Sequence, residues 1–125
     1  MRHNKILVID DDPFVQRTLT DILKYKGYET EISGNGEDGL KKIKRRVFDV
    51  ILLDLRLPDK DGVEILKEIK MIRPDAIVIM LTGYPTVDSV KEAMRSGAYD
   101  YVTKTINSDK LNTLIENALR DKNVI

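Results

Sequence analysis

Short apolar runs alternate with segments of helical periodicity along this chain, and this alternation restricts the fold more than any other feature of the sequence. The apolar runs have the length of strands, whereas the segments between them repeat apolar residues three and four positions apart. Strands that alternate with helices form βαβ units with parallel strands. The sequence therefore predicts an α/β fold, a doubly wound sheet of five parallel strands with helices on both faces.

The ends of these elements are set by caps, glycines and prolines, such as Asp12 before Pro13 and Gly27 after the first helix. The predicted strands are Lys5 to Ile9, Tyr28 to Ser33, Val50 to Asp54, Ala76 to Leu81 and Tyr99 to Thr103. The predicted helices run from Pro13 to just before Gly27, from Gly36 to Arg46, from Gly62 to Ile72, from Thr86 to Ser96 and from Ser108 to Asp121. Predicted core positions include Leu40, Ile43, Val47, Met71, Met80 and Met94.

Composition limits the function classes. The 125 residues suit a single domain spanning 1–125, and 21 basic residues balance 21 acidic ones, so no net field favours nucleic acid or an anionic membrane. No apolar stretch is long enough to cross a bilayer, which predicts a cytoplasmic protein. Cysteine is absent, which excludes disulfides, thiolate metal sites and cysteine nucleophiles, and the only histidine is His3, near the terminus.

Acidic residues follow two of the apolar runs. Asp10, Asp11 and Asp12 come after the first run, and Asp54 ends the third. Because parallel strands deliver their carboxyl ends to one edge of the sheet, these carboxylates should meet there and repel one another unless a cation lies between them. Asp12 is expected to cap the first helix, and Asp10, Asp11 and Asp54 to form a site for a divalent metal beside one reactive aspartate.

Four short strings at the ends of successive strands carry a family resemblance. They are Asp10-Asp11, Asp54, Leu81-Thr82-Gly83 and Tyr101-Val102-Thr103-Lys104. Together they resemble the receiver domain of bacterial two-component response regulators over nearly the whole chain. The resemblance implies a flavodoxin-like sheet with strand order 2-1-3-4-5.

The resemblance also implies a chemistry. Asp54 would accept a phosphoryl group and, with Asp11, coordinate Mg²⁺ directly, for which Mn²⁺ can substitute. The backbone carbonyl of Arg56 would be a third protein ligand, and Asp10 would bind through water. Lys104 would pair with Asp54 at rest and with a phosphate oxygen after transfer.

Further residues match the family's switch. Thr82 would bind a phosphate oxygen through its hydroxyl, Tyr101 would turn inward on phosphorylation, and the bulky Arg56 and Tyr84 would slow hydrolysis of the phosphate. The implied partners are a sensor histidine kinase, an output partner or domain that binds the fourth helix, fifth strand and fifth helix, and a second copy of the chain after phosphorylation. Catalysis would be limited to self-phosphorylation, from phospho-His or small phosphodonors, and slow autodephosphorylation.

Three other functions compete with this one. A dinucleotide site at the G-x-G-x-x-G string of residues 34–39 is disfavoured, because Glu37 and Asp38 would repel a pyrophosphate at the helix start. A haloacid-dehalogenase-type phosphatase needs a second acid two positions after the nucleophile, where Arg56 stands. A receiver-like interaction module that is never phosphorylated stays as the alternative, because one position departs from the family.

That position is Thr105, where the family usually has a proline joined to the lysine by a cis bond. A cis bond before threonine costs roughly 2.5 to 4 kcal/mol, against about 0.5 to 1 before proline. Either contacts in the pocket hold a strained cis bond, or the bond is trans and the following loop rearranges. The cost favours the trans bond, which should place Lys104 less firmly.

Overall fold

The computed structural model describes residues 4–122, in which five strands and five helices alternate. The strands are β1 (Lys5–Ile9), β2 (Glu29–Ser33), β3 (Val50–Asp54), β4 (Val78–Thr82) and β5 (Asp100–Thr103). The helices are α1 (Pro13–Tyr25), α2 (Gly36–Arg45), α3 (Gly62–Ile72), α4 (Val87–Arg95) and α5 (Ser108–Lys122). The predicted α/β class is confirmed. The structure describes no helix that is both long and apolar enough to cross a membrane.

All five strands are parallel and form one sheet in the order β2-β1-β3-β4-β5. This is the order 2-1-3-4-5 expected from the resemblance. The chain leaves β1 for β2 on one side and then returns to β3 on the other side of β1. The strand order therefore reverses at the carboxyl ends of β1 and β3, the place where open α/β sheets bind ligands.

The core lies on both faces of the sheet because successive strand residues point to opposite sides. Helices α2, α3 and α4 cover one face, and α1 and α5 cover the other. The central strands β3 and β4 are buried along their whole length, whereas β5 buries only Val102. Buried polar side chains are therefore conspicuous at the ends of the central strands.

Three of the predicted core side chains are instead exposed: Val47 by 57%, Met71 by 82% and Met94 by 43%. Val47 follows the end of α2, and its neighbour Phe48 fills the core. Met71 and Met94 lie beside the buried stripes of α3 and α4 rather than within them. The predictions for Leu40, Ile43 and Met80 are confirmed.

The element boundaries differ from the predicted ones by one or two residues at several ends. Strand β4 is displaced toward the carboxyl edge, because its pairing with β3 begins at Val78 and its pairing with β5 continues to Thr82. Helix α4 is shorter than predicted because Thr86 and Ser96 are its caps rather than helical residues.

Candidate functional site

Two neighbouring strands end in buried aspartates. Strand β3 ends at Asp54, and Asp10 directly follows the end of β1. Because Ile9 is in register with Leu53, the next residue on each strand, Asp10 and Asp54, lie side by side. Both side chains are buried, since apolar residues of the two strands enclose them up to the last position.

Asp11 completes an acidic triad with these two residues. One carboxylate oxygen from each of Asp10, Asp11 and Asp54 lies within 4.8 Å of the other two. Asp11 is exposed, so the triad has a buried base and a side open to solvent. Three carboxylates at this separation repel one another unless positive charge is nearby.

Lys104 supplies part of that positive charge. Its ammonium nitrogen lies 2.8 Å from Oδ2 of Asp10 and 3.0 Å from Oδ2 of Asp54. The backbone N–H of Lys104 donates to the carbonyl of Thr82 at 2.8 Å, which fixes the residue just beyond β5. The sequence suggested the pairing with Asp54 but missed the pairing with Asp10, which depends on how far the side chain reaches across the sheet.

The other oxygens of the two buried carboxylates accept backbone hydrogen bonds. Oδ1 of Asp54 accepts from the N–H of Arg56 at 3.1 Å, and Oδ1 of Asp10 accepts from the N–H of Asp12 at 2.9 Å. Asp12 also caps α1, as predicted, by accepting from the N–H of Phe14 at 2.9 Å. These bonds hold each carboxylate in one orientation.

Gln16 contributes a contact that the sequence alone does not predict. Its side-chain amide donates to the carbonyl of Asp10 at 2.6 Å. A glutamine one turn into a helix that follows the acidic run is compatible with this contact, but the sequence alone does not distinguish it from an ordinary surface residue.

The surroundings shift two pKa values. Burial raises the pKa of Asp54, the nearby charge of Asp10 raises it further, and the hydrogen bonds from Arg56 and Lys104 offset part of the rise. Burial alone would lower the pKa of Lys104, but pairing with Asp10 and Asp54 raises it above the ordinary value. At neutral pH the lysine is therefore held in its charged form.

The remaining predicted residues are spread around this centre. Thr82 is the buried last residue of β4, and Tyr101 on β5 is 36% exposed. Arg56 and Tyr84 both have exposed side chains, in the loops after β3 and β4. The bond between Lys104 and Thr105 is trans, and the lysine still reaches both buried carboxylates.

The acidic triad has the donor chemistry of a hard cation. Mg²⁺ binds carboxylate oxygens and keeps several waters, so it suits a site with two buried carboxylates and one on the solvent side. Lys104 contacts two of the three carboxylates, which leaves negative charge for a cation to offset. The residues at this edge of the sheet therefore fit a divalent metal.

Comparison with known proteins identifies the family. The family model for the response regulator receiver domain matches residues 6–116 of this sequence. The chain belongs to this family. The match includes both buried aspartates, Lys104 and all five strands except the first residue of β1.

Transcriptional regulators are among the relatives of this receiver domain. It is 41% identical over 114 residues to the transcriptional regulatory protein ZraR of Klebsiella oxytoca, covering 91% of the chain and 26% of that relative. It is 38% identical over 117 residues to the regulatory protein AtoC of Escherichia coli K12, covering 94% of the chain and 25% of AtoC. The receiver domain thus spans about a quarter of the length of these relatives.

Solved receiver domains have the same fold. A CheY-like receiver domain from Methanospirillum hungatei is 33% identical, with a TM-score of 0.93 and 97% of each chain covered. The beryllofluoride-activated receiver domain dimer of NtrC4 is 34% identical, with a TM-score of 0.90, and the similarity covers 94% of this chain and 98% of that one.

Proposed function

We propose that this receiver domain, a single domain over residues 1–125, is a signalling switch that accepts a phosphoryl group on Asp54 from a sensor histidine kinase. The observation that carries the proposal is the ammonium of Lys104 between the buried carboxylates of Asp10 and Asp54, with Asp11 beside them. Crowded, buried carboxylates reduce the stability of the fold, and groups perturbed in this way cluster at functional sites.

In the transfer, an oxygen of Asp54 attacks the phosphorus of a phospho-His. The new O–P bond forms as the P–N bond breaks, and the electron pair of that bond goes to the imidazole nitrogen, which takes a proton from solvent. Lys104, already within 3.0 Å of the acceptor carboxylate, would pair with an oxygen of the transferred group. The hydroxyl of Thr82 would bind a second oxygen.

Asp11, Asp54 and the carbonyl of Arg56 would hold Mg²⁺ or Mn²⁺ directly, and Asp10 through a water molecule. The cation would supply neutralisation of the charge that gathers on the phosphoryl oxygens. The N–H of Arg56 that donates to Asp54 would keep the acceptor oxygen oriented before transfer.

The output surface of the proposed switch consists of α4, β5 and α5. Two of these elements are lightly packed, because α4 buries only Ala93 and β5 buries only Val102, whereas α5 packs in the core through Leu111, Ile115 and Ala118. Lightly packed elements need little free energy to move. The phosphate would shift Thr82 and turn Tyr101 inward, altering the surface for a transcriptional output domain or for a second copy of the chain.

The test is incubation with acetyl phosphate followed by intact-mass and peptide mass spectrometry. We expect one phosphoryl group, located on Asp54, that appears with Mg²⁺ or Mn²⁺ and fails to appear with EDTA. Asp54→Asn should stay unmodified. Asp49→Asn is the matched control, because it changes a buried aspartate at the opposite edge of the sheet.

A second measurement separates the switch from the alternative of an unphosphorylated interaction module. Phosphorylation should shift the NMR signals of Thr82 and Tyr101 in the parent and leave them unchanged in Asp54→Asn. Modification that persists in Asp54→Asn, or that ignores EDTA, contradicts the assignment of the acceptor. A parent chain that takes no phosphoryl group under any of these conditions supports the interaction module.

A further inference from the structure

Asp59 connects the loop after β3 to the beginning of α2. Its Oδ1 accepts from the N–H of Gly36 at 2.9 Å, and its Oδ2 accepts from the N–H of Glu37 at 3.0 Å. These are the first two residues of α2, and Asp59 comes 23 positions after Gly36. The carboxylate therefore satisfies two backbone donors of a helix from which it is distant in sequence. The bond from Gly36 is also the largest influence that lowers the pKa of Asp59.

The contact explains the glycine-rich string before α2. A Cβ atom at position 36 would lie 2.4 Å from Cδ1 of Ile65 and 3.4 Å from Oδ1 of Asp59, so glycine allows α2 to approach both. A helix N-terminus can bind a phosphate through its free N–H groups. Here a carboxylate of the same chain occupies that position, which agrees with the sequence argument against a dinucleotide.

The loop that Asp59 anchors contains Arg56. At its base, Arg56 and Asp61 form an antiparallel bridge, and the N–H of Gly62 donates to the carbonyl of Leu55 at 2.8 Å. At its tip, Asp59 is bound to α2. The segment is thus held at two points, and at the first of them Arg56 directs its N–H to Asp54.

We propose that Asp59 is a positioning residue for the phosphorylation site: by fixing the loop tip to α2, it keeps Arg56 in the place where its N–H orients Asp54 and its carbonyl completes the metal site. This inference rests on the proposed function for the role of the Arg56 carbonyl. Without the two bonds to α2, the loop samples more conformations, and ordering it again reduces the free energy of metal binding.

Asp59→Ala tests the inference in the full chain. We expect the Mg²⁺ dissociation constant, from an NMR titration, to rise about 10-fold, as when an outer support of a metal site is removed. The amide of Arg56, followed by hydrogen exchange without metal, should exchange faster than in the parent. Asp59→Asn keeps one acceptor oxygen, so it should change the Mg²⁺ dissociation constant and the Arg56 exchange rate in the same direction but by less. It replaces the alanine variant as the test if that variant does not fold.

Two controls separate positioning from stability and charge. Asn35→Ala removes the other cap of α2, where Oδ1 of Asn35 accepts from the N–H of Asp38 at 2.8 Å. It should lower the melting temperature but leave Mg²⁺ affinity and Arg56 exchange unchanged. Glu37→Gln removes one charge from the same helix end and should also leave both unchanged at moderate ionic strength.

The outcomes are distinguishable. An Asp59→Ala variant with the parent's Mg²⁺ affinity and the parent's Arg56 exchange rate overturns the inference, as does an Asn35→Ala variant with the same loss of affinity. A parent chain that binds no Mg²⁺ contradicts the proposed function instead. In that case the exchange rate of Arg56 still decides whether Asp59 holds the loop.

Discussion

The two edges of the sheet each bury an aspartate, and they neutralise its charge in different ways. At the amino edge, Oδ2 of Asp49 accepts from the backbone N–H of Lys5 at 2.8 Å, and its Oδ1 lies 3.7 Å from the ammonium of Lys122. At the carboxyl edge, Asp54 is crowded by Asp10, and both carboxylates contact the same ammonium, that of Lys104.

The difference separates a structural acid, Asp49, from Asp54, the proposed acceptor of the phosphoryl group. Asp49 precedes β3 and contacts the start of β1 and the end of α5. Its hydrogen bond from the backbone N–H of Lys5 does not depend on the ion pair with Lys122. Asp54 has its pKa raised by burial and by Asp10, which means that its charge disfavours the folded state. Unfavourable crowding of this kind is typical of functional sites, which supports the proposed role of Asp54.

The largest expected effect is the loss of stability when Lys104 is replaced, and the same replacement of Lys122 is its comparison. Lys104→Met should lower the free energy of unfolding by about 3 kcal/mol in EDTA, because it leaves two buried carboxylates without their cation. Lys122→Met should lower it by less than about 1 kcal/mol, since that pair is long and partly exposed. Urea denaturation measures both, and equal losses would remove the distinction between the two edges.

Metal should stabilise one edge only. In Mg²⁺ at 100 times the dissociation constant, the parent should gain about 2.7 kcal/mol of unfolding free energy. Asp11→Asn should lose most of that gain while keeping the fold, because Asp11 is exposed. Asp49→Asn should be less stable than the parent in EDTA yet gain as much from Mg²⁺. Thermal or urea unfolding with and without Mg²⁺ gives these differences, and a full gain in Asp11→Asn would be inconsistent with the metal site.

The pH dependence of stability should also identify the crowded edge. The pKa of Asp54 is raised above its ordinary value of 3.8, so the folded state binds this proton more tightly than the unfolded state. Stability from this group is therefore lost as pH rises above 3.8. In EDTA, Asp54→Asn should gain stability relative to the parent as pH rises through this window. A constant difference between the two proteins would contradict the raised pKa.

The smallest expected effect concerns the lifetime of the phosphate. Arg56 and Tyr84 have exposed side chains near the carboxyl edge, where they could close over a transferred phosphoryl group and exclude water. The double variant Arg56→Asn with Tyr84→Ala should therefore lose its phosphate severalfold faster than the parent, as followed by mass spectrometry after the phosphodonor is removed. Val47→Ala, at an exposed site in the loop before β3, is the control. An unchanged rate in the double variant would show that these side chains do not shield the site.

The order of strands and helices, the edge at which the aspartates lie and the cap of α1 could be predicted from the sequence, because each depends on a local pattern of residues. The periods of apolar residues predicted the five strands and five helices, and the parallel direction of the strands required Asp10 and Asp54 to emerge at one edge. Asp12 before Pro13 identified the cap of α1, since the preference for an oxygen side chain at that position is set within one helical turn. The chemical roles of the site residues stay predictions, namely those of Asp10, Asp11, Asp54, Arg56, Thr82, Tyr84, Tyr101 and Lys104.

Only the tertiary structure decided which side chains meet across distant segments. The contact of Lys104 with Asp10 depends on the register of strands that are not neighbours, and the contact of Asp59 with α2 depends on how closely α2 and α3 pack. The exposure of Val47 and Met71 likewise follows from where each helix ends and turns on the sheet. Periodicity gives the face that a residue occupies within its own element, but the distance between two elements is set by the packing of the whole core.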